Sequence, residues 1–143
     1  MKQYLFDASA FIFLIKKANT QTTFQQLQNL LILDLTVYEI GNTLLKENSL
    51  TKFLTQKEIE TLERATQLVL SRAEKIINQK VILQQIMEIA KTENLSFYDS
   101  SYIYFAKQNN VQLVTEDPNL RDKAQKYVPT QTTTTLLSDR RVS

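Results

Sequence analysis

Short apolar runs that pass directly into helical patterns recur along this chain, and they constrain its fold more than any other feature. Strands that alternate with helices favour an α/β fold, with a parallel sheet covered by helices on both faces. A carboxylate stands at four of the junctions between an apolar run and a helical pattern. The four segments are Leu5-Phe6-Asp7-Ala8-Ser9, Thr36-Val37-Tyr38-Glu39, Ser96-Phe97-Tyr98-Asp99 and Thr115-Glu116-Asp117-Pro118. Because ligands of such sheets bind at the carboxyl ends of the strands, we expect the four acids to gather along that edge.

The composition excludes much of the usual chemistry of active sites. The chain contains no cysteine, no histidine and a single glycine, Gly41. It therefore has no thiol nucleophile, no disulfide, no Cys/His zinc site and no Ser-His-Asp triad. One glycine also excludes the glycine-rich loops that cradle phosphates. Catalysis would have to rely on carboxylates, hydroxyls, amides, lysine, arginine or tyrosine, and hard oxygen ligands favour Mg²⁺ or Mn²⁺ as the cofactor.

The length of 143 residues is that of one domain, which we assign to residues 1–128. The polar, threonine-rich residues 129–143 are predicted to form an edge strand or a disordered tail. No apolar run approaches the roughly 20 residues of a membrane span. The first strand begins without a signal-peptide layout before it, so we expect a cytoplasmic location. A net charge of +2 permits nucleic-acid binding without requiring it.

Each of the four acids also has a purely structural explanation as a helix cap. Thr36-x-x-Glu39 and Ser96-x-x-Asp99 match the capping box. Asp7 could cap the first helix, and Asp117 before a proline fits an N-cap. Thr55-x-x-Glu58 is a capping box with no strand before it. Caps need only a helix start, however, and do not explain acids at every strand–helix turn of one edge.

Four neighbouring carboxylates repel one another, and this repulsion would raise the pKa of some of them. A bound Mg²⁺ or Mn²⁺ reverses that penalty. Helix N-termini around the acids would favour a substrate phosphate. The sequence therefore predicts a divalent-metal site for phosphoryl chemistry, in which the metal activates a water and stabilises charge on the phosphate.

The order of these motifs resembles that of the PIN-domain nucleases, and among them the chain is most similar to VapC-type toxins of toxin–antitoxin pairs. The matching segments are Leu5-Phe6-Asp7-Ala8-Ser9, Glu39-Ile40-Gly41-Asn42, Phe97-Tyr98-Asp99-Ser100-Ser101-Tyr102 and Leu113-Val114-Thr115-Glu116-Asp117-Pro118-Asn119-Leu120. The resemblance spans about residues 3 to 125. Each motif alone is weak, whereas four motifs in order are fairly specific.

The resemblance implies a Rossmann-like fold and a metal-dependent endoribonuclease that leaves a 5′-phosphate. Its acidic quartet would be Asp7, Glu39, Asp99 and Asp117. The implied metal ligands are Asp7, Asp99 and Asp117, whereas Glu39 would act through a water. The implied supporting residues are Ser9, Asn42 and Thr115. The implied partners are an RNA substrate, an antitoxin that blocks the site, and a second copy of the chain, for which residues 8–17 and 21–31 are candidate interface helices.

Two other functions remain open from the sequence. A non-catalytic interaction module on the same fold would keep the acids as caps. A phosphatase of the aspartyl-phosphate kind usually carries Asp-x-Asp after the first strand, and Ser9 in the third position argues against it. Tyr98, Tyr102 and Tyr104 could stack on bases. We favour a packing role, in which Phe97, Tyr98 and Tyr102 mostly pack the helix and keep their hydroxyls at the surface.

Overall fold

The computed structural model of the protein describes residues 2–17, 29–46, 55–76 and 83–142. Within these ranges, strands and helices alternate as the sequence predicts. The strands are β1 (Tyr4–Phe6), β2 (Leu30–Leu33), β3 (Glu74–Ile76), β4 (Gln112–Val114) and β5 (Thr130–Gln131). The helices are α1 (Ala8–Lys17), α2 (Asp34–Lys46), α3 (Gln56–Arg72), α4 (Leu83–Glu93), α5 (Phe97–Gln108), α6 (Pro118–Ala124) and α7 (Thr133–Val142). None of these helices is both long and apolar enough to cross a membrane.

The five strands form one parallel sheet in the order β3-β2-β1-β4-β5. Strand β1 lies at its centre, where Leu5 pairs with Leu31 of β2 and with Leu113 of β4. All three residues of β1 are buried, as expected for a parallel strand covered on both faces. This arrangement confirms the predicted fold class.

Helices cover both faces of the sheet and enclose two cores. Tyr4 and Phe6 face the first core, which they share with side chains of α1, α2, α3 and α7. Leu5 points to the opposite face and into the second core, which includes side chains of α4, α5 and α6. The alternation of neighbouring side chains along β1 therefore divides the apolar residues between the two layers.

The second strand is shorter than the sequence suggests. A strand was expected over residues 31–35 with a helix from Thr36, but β2 ends at Leu33 and α2 begins at Asp34. The Thr36 hydroxyl accepts the Leu33 N–H at 3.1 Å, so the chain turns into the helix at once. The helix predicted around residues 24–31 lies mostly outside the described residues. Its last two apolar residues belong to β2, because a short apolar run reads equally well as helix or buried strand.

Two other local predictions are confirmed. Residues 75–78 were expected to form an edge strand or a connection. Residues 75 and 76 belong to β3, the edge strand next to β2, and residues 77 and 78 lie outside the described residues. The capping box at the start of α3 is complete. Its Thr55 side chain accepts the Glu58 N–H at 3.2 Å, and the Glu58 carboxylate accepts the Thr55 N–H at 3.0 Å.

The C-terminal residues join the fold instead of forming a separate tail. Thr130 and Gln131 form β5, which was one of the two expectations for residues 129–143. Helix α7 follows, and its Leu136 is only 1% exposed in the core that contains α1. Periodicity does not predict a helix here, because a run of threonines has poor helix propensity. Packing against α1 therefore determines this element.

We predict that Leu136→Ala lowers the free energy of unfolding by about 2–5 kcal/mol, since it opens a cavity in a packed core. Urea unfolding of the two proteins measures the difference. Leu83→Ala is the matched control, because Leu83 is 64% exposed and its truncation should change stability by less than about 0.5 kcal/mol. Equal unfolding free energies for wild type and Leu136→Ala would show that α7 is not part of the cooperative fold.

Candidate active site

All four acids predicted from the sequence line one cleft at the carboxyl ends of β1 and β4. The cleft has a volume of about 350 Å³. Its lining residues are Asp7, Ala8, Ser9, Ile12, Glu39, Thr43, Asp99, Tyr102 and Asp117. The acids reach it from four different parts of the fold, and each has its own local reason to be there.

Asp7 directly follows β1 and is 5% exposed. One carboxylate oxygen, Oδ1, accepts the Ala10 N–H at 2.8 Å and the Ser9 hydroxyl at 2.7 Å. The other, Oδ2, accepts the Thr115 hydroxyl. Asp7 therefore does cap α1, as its structural explanation proposed, but it does so while facing the cleft. The cap and a role in the site are compatible.

Ser9 and Thr115 join Asp7 to the loop that follows β4. The Ser9 hydroxyl oxygen accepts the Glu116 N–H at 3.0 Å and lies 3.3 Å from the Thr115 hydroxyl oxygen. The Thr115 oxygen in turn accepts the Asp117 N–H at 3.1 Å. The structure thus places both hydroxyls where they fix the Asp7 carboxylate and the adjoining loop together.

Asp117 is the N-cap of α6, as its position before Pro118 predicted. Its Oδ1 accepts the N–H groups of Asn119 at 2.9 Å and Leu120 at 3.3 Å. The carboxylate also lines the cleft. Helix capping therefore sets the orientation of this acid towards the site.

Asp99 reaches the cleft without a strand before it. It is the third residue of α5, which follows α4 after a turn containing Asn94 in the left-handed region at φ 53°. The Ser96 hydroxyl caps α5 by accepting the Asp99 N–H at 3.0 Å. The backbone of Asp99 completes the cap, and its side chain is available to line the cleft.

The capping explanation for Glu39 is wrong. Thr36 lies inside α2, which begins at Asp34, so Glu39 belongs to the second turn of that helix. The expectation that Glu39 directly follows a strand fails for the same reason, because β2 ends six residues earlier at Leu33. Glu39 is therefore the acid whose position the helix start does not explain.

A buried tyrosine positions Glu39. The Tyr102 hydroxyl donates to Glu39 Oε1 at 2.6 Å and lies 2.8 Å from the Thr36 hydroxyl oxygen. Since Tyr102 gives its proton to Glu39, the Thr36 hydroxyl must donate to Tyr102 while it accepts the Leu33 N–H. A directed chain of hydrogen bonds therefore runs from the end of β2 to the carboxylate.

Tyr102 is the site residue that the sequence reading missed. It is predicted to pack beside Phe97 and Tyr98, and it is indeed 1% exposed. The expectation that its hydroxyl lies at the surface is wrong, because this hydroxyl donates to Glu39 inside the fold. Its position three residues after Asp99 puts both side chains on one face of α5, and this spacing was a usable signal. Phe97 packs against the second core as expected, whereas the prediction for Tyr98 is wrong, since this side chain is 62% exposed.

Asn42 does not line the acidic cleft. It is exposed and borders a neighbouring cavity together with Leu35, Tyr38, Glu39 and Tyr98. Glu39 lines both spaces. Asn42 therefore lies beside the acidic cleft and shares a helix with Glu39.

Burial and repulsion between neighbouring charges make three of the acids costly to ionise. Burial raises the pKa of Asp7 from 3.8 to about 6, and the negative charge of Asp99 adds to this rise against the lowering effect of its hydrogen bonds. Burial also raises the pKa of Glu39 and of Asp99. Asp99 raises the pKa of Glu39 further, and Asp117 does the same to Asp99. A cation between the acids would offset each of these effects.

The donor set suits a hard cation, because carboxylate and hydroxyl oxygens are the ligands of Mg²⁺ and Mn²⁺. In the part of the chain that the structure describes, no three acidic side chains stand close enough to bind one ion together. Asp7 is fixed by its hydrogen bonds, whereas Asp99 and Asp117 are partly exposed. Three of these acids could therefore bind one ion together only if their side chains moved closer to one another.

Comparison with known proteins agrees with this fold. A parallel α/β sheet with acids along its carboxyl edge defines the class of the protein, and the family model described as "PIN domain" matches residues 4–126. The chain belongs to the PIN domain family. It is 32% identical over 130 residues to exonuclease VapC9 of Pyrobaculum aerophilum, covering 91% of this chain and 92% of that protein. The resemblance drawn from the motifs is thereby confirmed.

Solved structures show the same fold. The crystal structure of PAE2754 from Pyrobaculum aerophilum has a TM-score of 0.82 and 30% identity, and the match covers 99% of this chain and 98% of that one. The crystal structure of FitAcB from Neisseria gonorrhoeae has a TM-score of 0.57 and 16% identity, with 92% of this chain and 98% of that one covered. At 16% identity the second likeness concerns the fold alone.

We predict that the stability of the wild type falls as the pH rises through the titration of Asp7. The pKa of this carboxyl is raised from 3.8 to about 6, so the folded state holds the proton more tightly than the unfolded state. Protonated Asp7 contributes its full stabilisation below pH 3.8, the pKa of this carboxyl in the unfolded chain. This contribution is lost as the pH rises through about 6, the pKa in the folded protein. The loss relative to Asp7→Asn should be about 3 kcal/mol. Urea unfolding of both proteins across this pH range provides the test, and parallel curves would contradict the prediction.

We predict that Tyr102→Phe raises the pKa of Glu39, because the lost hydroxyl donates the hydrogen bond that lowers it. Carboxyl carbon chemical shifts followed by NMR against pH measure this value directly. Tyr104→Phe is the matched control, since it removes a buried hydroxyl from the same helix and should leave Glu39 unchanged. An unchanged pKa of Glu39 in Tyr102→Phe would show that the hydrogen bond does not hold this carboxylate.

Proposed function

We propose that the protein is a Mg²⁺- or Mn²⁺-dependent ribonuclease, the toxin of a toxin–antitoxin pair. The observation that carries this proposal is the convergence of Asp7, Glu39, Asp99 and Asp117 on one cleft. Three of these acids have a raised pKa, so the arrangement is unfavourable for the protein alone. A site of this kind suits a cation and a phosphodiester. The name of the relative, exonuclease VapC9, supports a nuclease.

The residues of the cleft would have different roles in the reaction. Asp7, Asp99 and Asp117 would hold the ion, with Asp7 kept in place by Ser9 and Thr115. When bound, a divalent cation lowers the pKa of water and stabilises charge on the scissile phosphate. The N-termini of α1 and α5 open beside the cleft and would favour a phosphate.

Glu39 is the group that would receive a proton from the attacking water. Burial raises the pKa of this carboxyl, which makes it a stronger base than an exposed glutamate. Tyr102 stays protonated, because burial raises the pKa of its hydroxyl, and it therefore continues to donate to Glu39. With no histidine in the chain, Glu39 is the natural choice for this role.

The mode of cleavage is the point at which two expectations differ. The motifs resemble those of endoribonucleases, whereas the relative from Pyrobaculum aerophilum is named an exonuclease. A circular single-stranded RNA has no ends, so only an endonuclease can cut it. We propose endonucleolytic cleavage, and degradation of linear but not circular RNA would assign exonuclease activity instead.

We predict that the wild type cleaves RNA with Mg²⁺ or Mn²⁺, and that EDTA abolishes the cleavage. Asp7→Asn should lower the rate by about 100-fold or more, since losing a group that merely orients a metal ligand already costs about 10–100-fold. Gel analysis of circular and linear RNA measures both effects. Asp34→Asn is the control, because Asp34 is an exposed acid that does not line the cleft, and this variant should match the wild type.

Equal cleavage by Asp7→Asn, or cleavage that persists in EDTA, would overturn the mechanism. A thermal midpoint that does not respond to millimolar Mn²⁺ would favour the non-catalytic interaction module, because a metal that binds the folded state must stabilise it. Activity on a phosphomonoester without any cleavage of RNA would favour a phosphatase. These three results separate the proposed function from its rivals.

We propose two protein partners in addition to RNA. The first is a cognate antitoxin that covers the acidic cleft, and a small upstream gene for a DNA-binding protein would support it. The second is another copy of the chain. The apolar side chains of α1 are largely committed to the core of the protein itself, with Ala8, Ala10, Phe11, Leu14 and Ile15 all buried. A dimer would therefore rely on surfaces other than this side of α1.

A further inference from the structure

Two tyrosines are exposed beside the acidic cleft. Tyr38 is 79% exposed and Tyr98 is 62% exposed. Among the described residues with large, exposed hydrophobic side chains, these two are the aromatic ones, and both line the same cavity. An aromatic side chain can bury about 150–250 Å² of surface, so binding a partner over an exposed ring is energetically favourable.

The cavity adjoins the candidate active site. It has a volume of about 580 Å³ and is lined by α2 and by the first turn of α5. Its lining residues are Leu35, Tyr38, Glu39, Asn42 and Tyr98. Glu39 also lines the acidic cleft, so the two spaces meet at this carboxylate.

The position of each tyrosine follows from helical geometry. Tyr38 directly precedes Glu39 on α2, and Tyr98 directly precedes Asp99 on α5. Consecutive side chains on a helix diverge by about 100°. When an acid on a helix faces the cleft, the tyrosine ring directly before it therefore points to one side of the cleft. The same arrangement occurs on both helices.

The chemistry of the cavity fits a nucleobase. Two tyrosine rings and Leu35 offer stacking and apolar contact to a flat ring. The Asn42 amide carries both a donor and an acceptor, which matches the polar edge of a base. A nucleobase is uncharged, so it can lie next to Glu39, whereas a phosphate could not do so without a cation.

We propose that this cavity is a nucleobase subsite, which binds the base of an unpaired nucleotide next to the phosphate held in the acidic cleft. The inference rests on the proposed nuclease function and adds a determinant of substrate choice. A base inside a duplex is stacked on its neighbours and cannot enter the cavity. The subsite therefore selects single-stranded segments.

The absence of tryptophan from the chain permits a direct test of stacking. Tyr38→Trp and Tyr98→Trp each place a single tryptophan in the subsite, and Leu83→Trp places one at a matched exposed position on α4. Tryptophan is excited selectively, away from the absorption of the tyrosines. Each is combined with Asp7→Asn to prevent cleavage. The probes are a short single-stranded RNA and an abasic ribose-phosphate oligomer of equal length. We expect the RNA to quench the fluorescence of a tryptophan at position 38 or 98, and the abasic oligomer to leave this fluorescence unchanged. Neither probe should change the fluorescence of a tryptophan at position 83.

Affinity for the same two probes provides the second measurement. In the Asp7→Asn background, Tyr38→Ala and Tyr98→Ala should weaken RNA binding by about fivefold to 150-fold each, the range for a lost base–aromatic stack. Tyr38→Phe and Tyr98→Phe keep the ring and should bind as tightly as their parent. Binding of the abasic oligomer should be the same in all five proteins. Circular dichroism checks that the exposed substitutions leave the fold intact.

Equal quenching by RNA and by the abasic oligomer, or unchanged RNA affinity in both alanine variants, would overturn the subsite. The exposed tyrosines would then belong to a protein interface. The two proposals fail separately. Metal-dependent cleavage without base-dependent quenching overturns the subsite alone, and base-dependent quenching without any cleavage by the wild type overturns the nuclease proposal alone.

Discussion

The buried carboxylate of Asp7 is the constraint on which the rest of the site depends. It ends the central strand, caps the first helix and accepts a hydrogen bond from Thr115 beyond the neighbouring strand. Three structural tasks therefore converge on a group that burial makes costly to ionise. The fold tolerates this cost at the carboxyl edge of the sheet, where a cation and a phosphate would meet. Under the proposed function, the same carboxylate would both cap a helix and hold a metal ion.

The sequence predicted the layered fold well because its signals are local. Short apolar runs that alternate with helical patterns, with helix starts marked by caps at Thr55 and Asp117, favour a parallel sheet with helices on both faces, and the structure has this sheet. The same locality explains the failures. Residues 30 and 31 fit a helix or a strand equally well by periodicity, and only pairing with β1 decides for the strand. Helix α7 depends on packing against α1, and this packing cannot be predicted from a run of threonines.

In the site, too, local sequence predicts some features, whereas others depend on contacts between distant residues. The four acids could be found from their places at junctions, but the reason for Glu39 could not. Its carboxylate is held by Tyr102, which is 63 residues distant in sequence. A tyrosine that serves as a hydrogen-bond donor has the same apolar signature as one that only packs. Tyr98 was misassigned for the converse reason, since its exposure depends on how α5 meets α2 at the edge of the cavity.

The last helix has a mechanical consequence for the loop that carries Asp117. The backbone N–H of Thr133, where α7 begins, donates to the Glu116 carboxylate at 2.7 Å. Glu116 lies between the two residues that connect Asp7 to the start of α6, and its own N–H is bound to Ser9. Strand β5 adds a second link to this loop, because the Thr115 N–H donates to the Gln131 carbonyl oxygen at 3.1 Å. The residues that close the edge of the sheet therefore also hold the loop that carries Asp117.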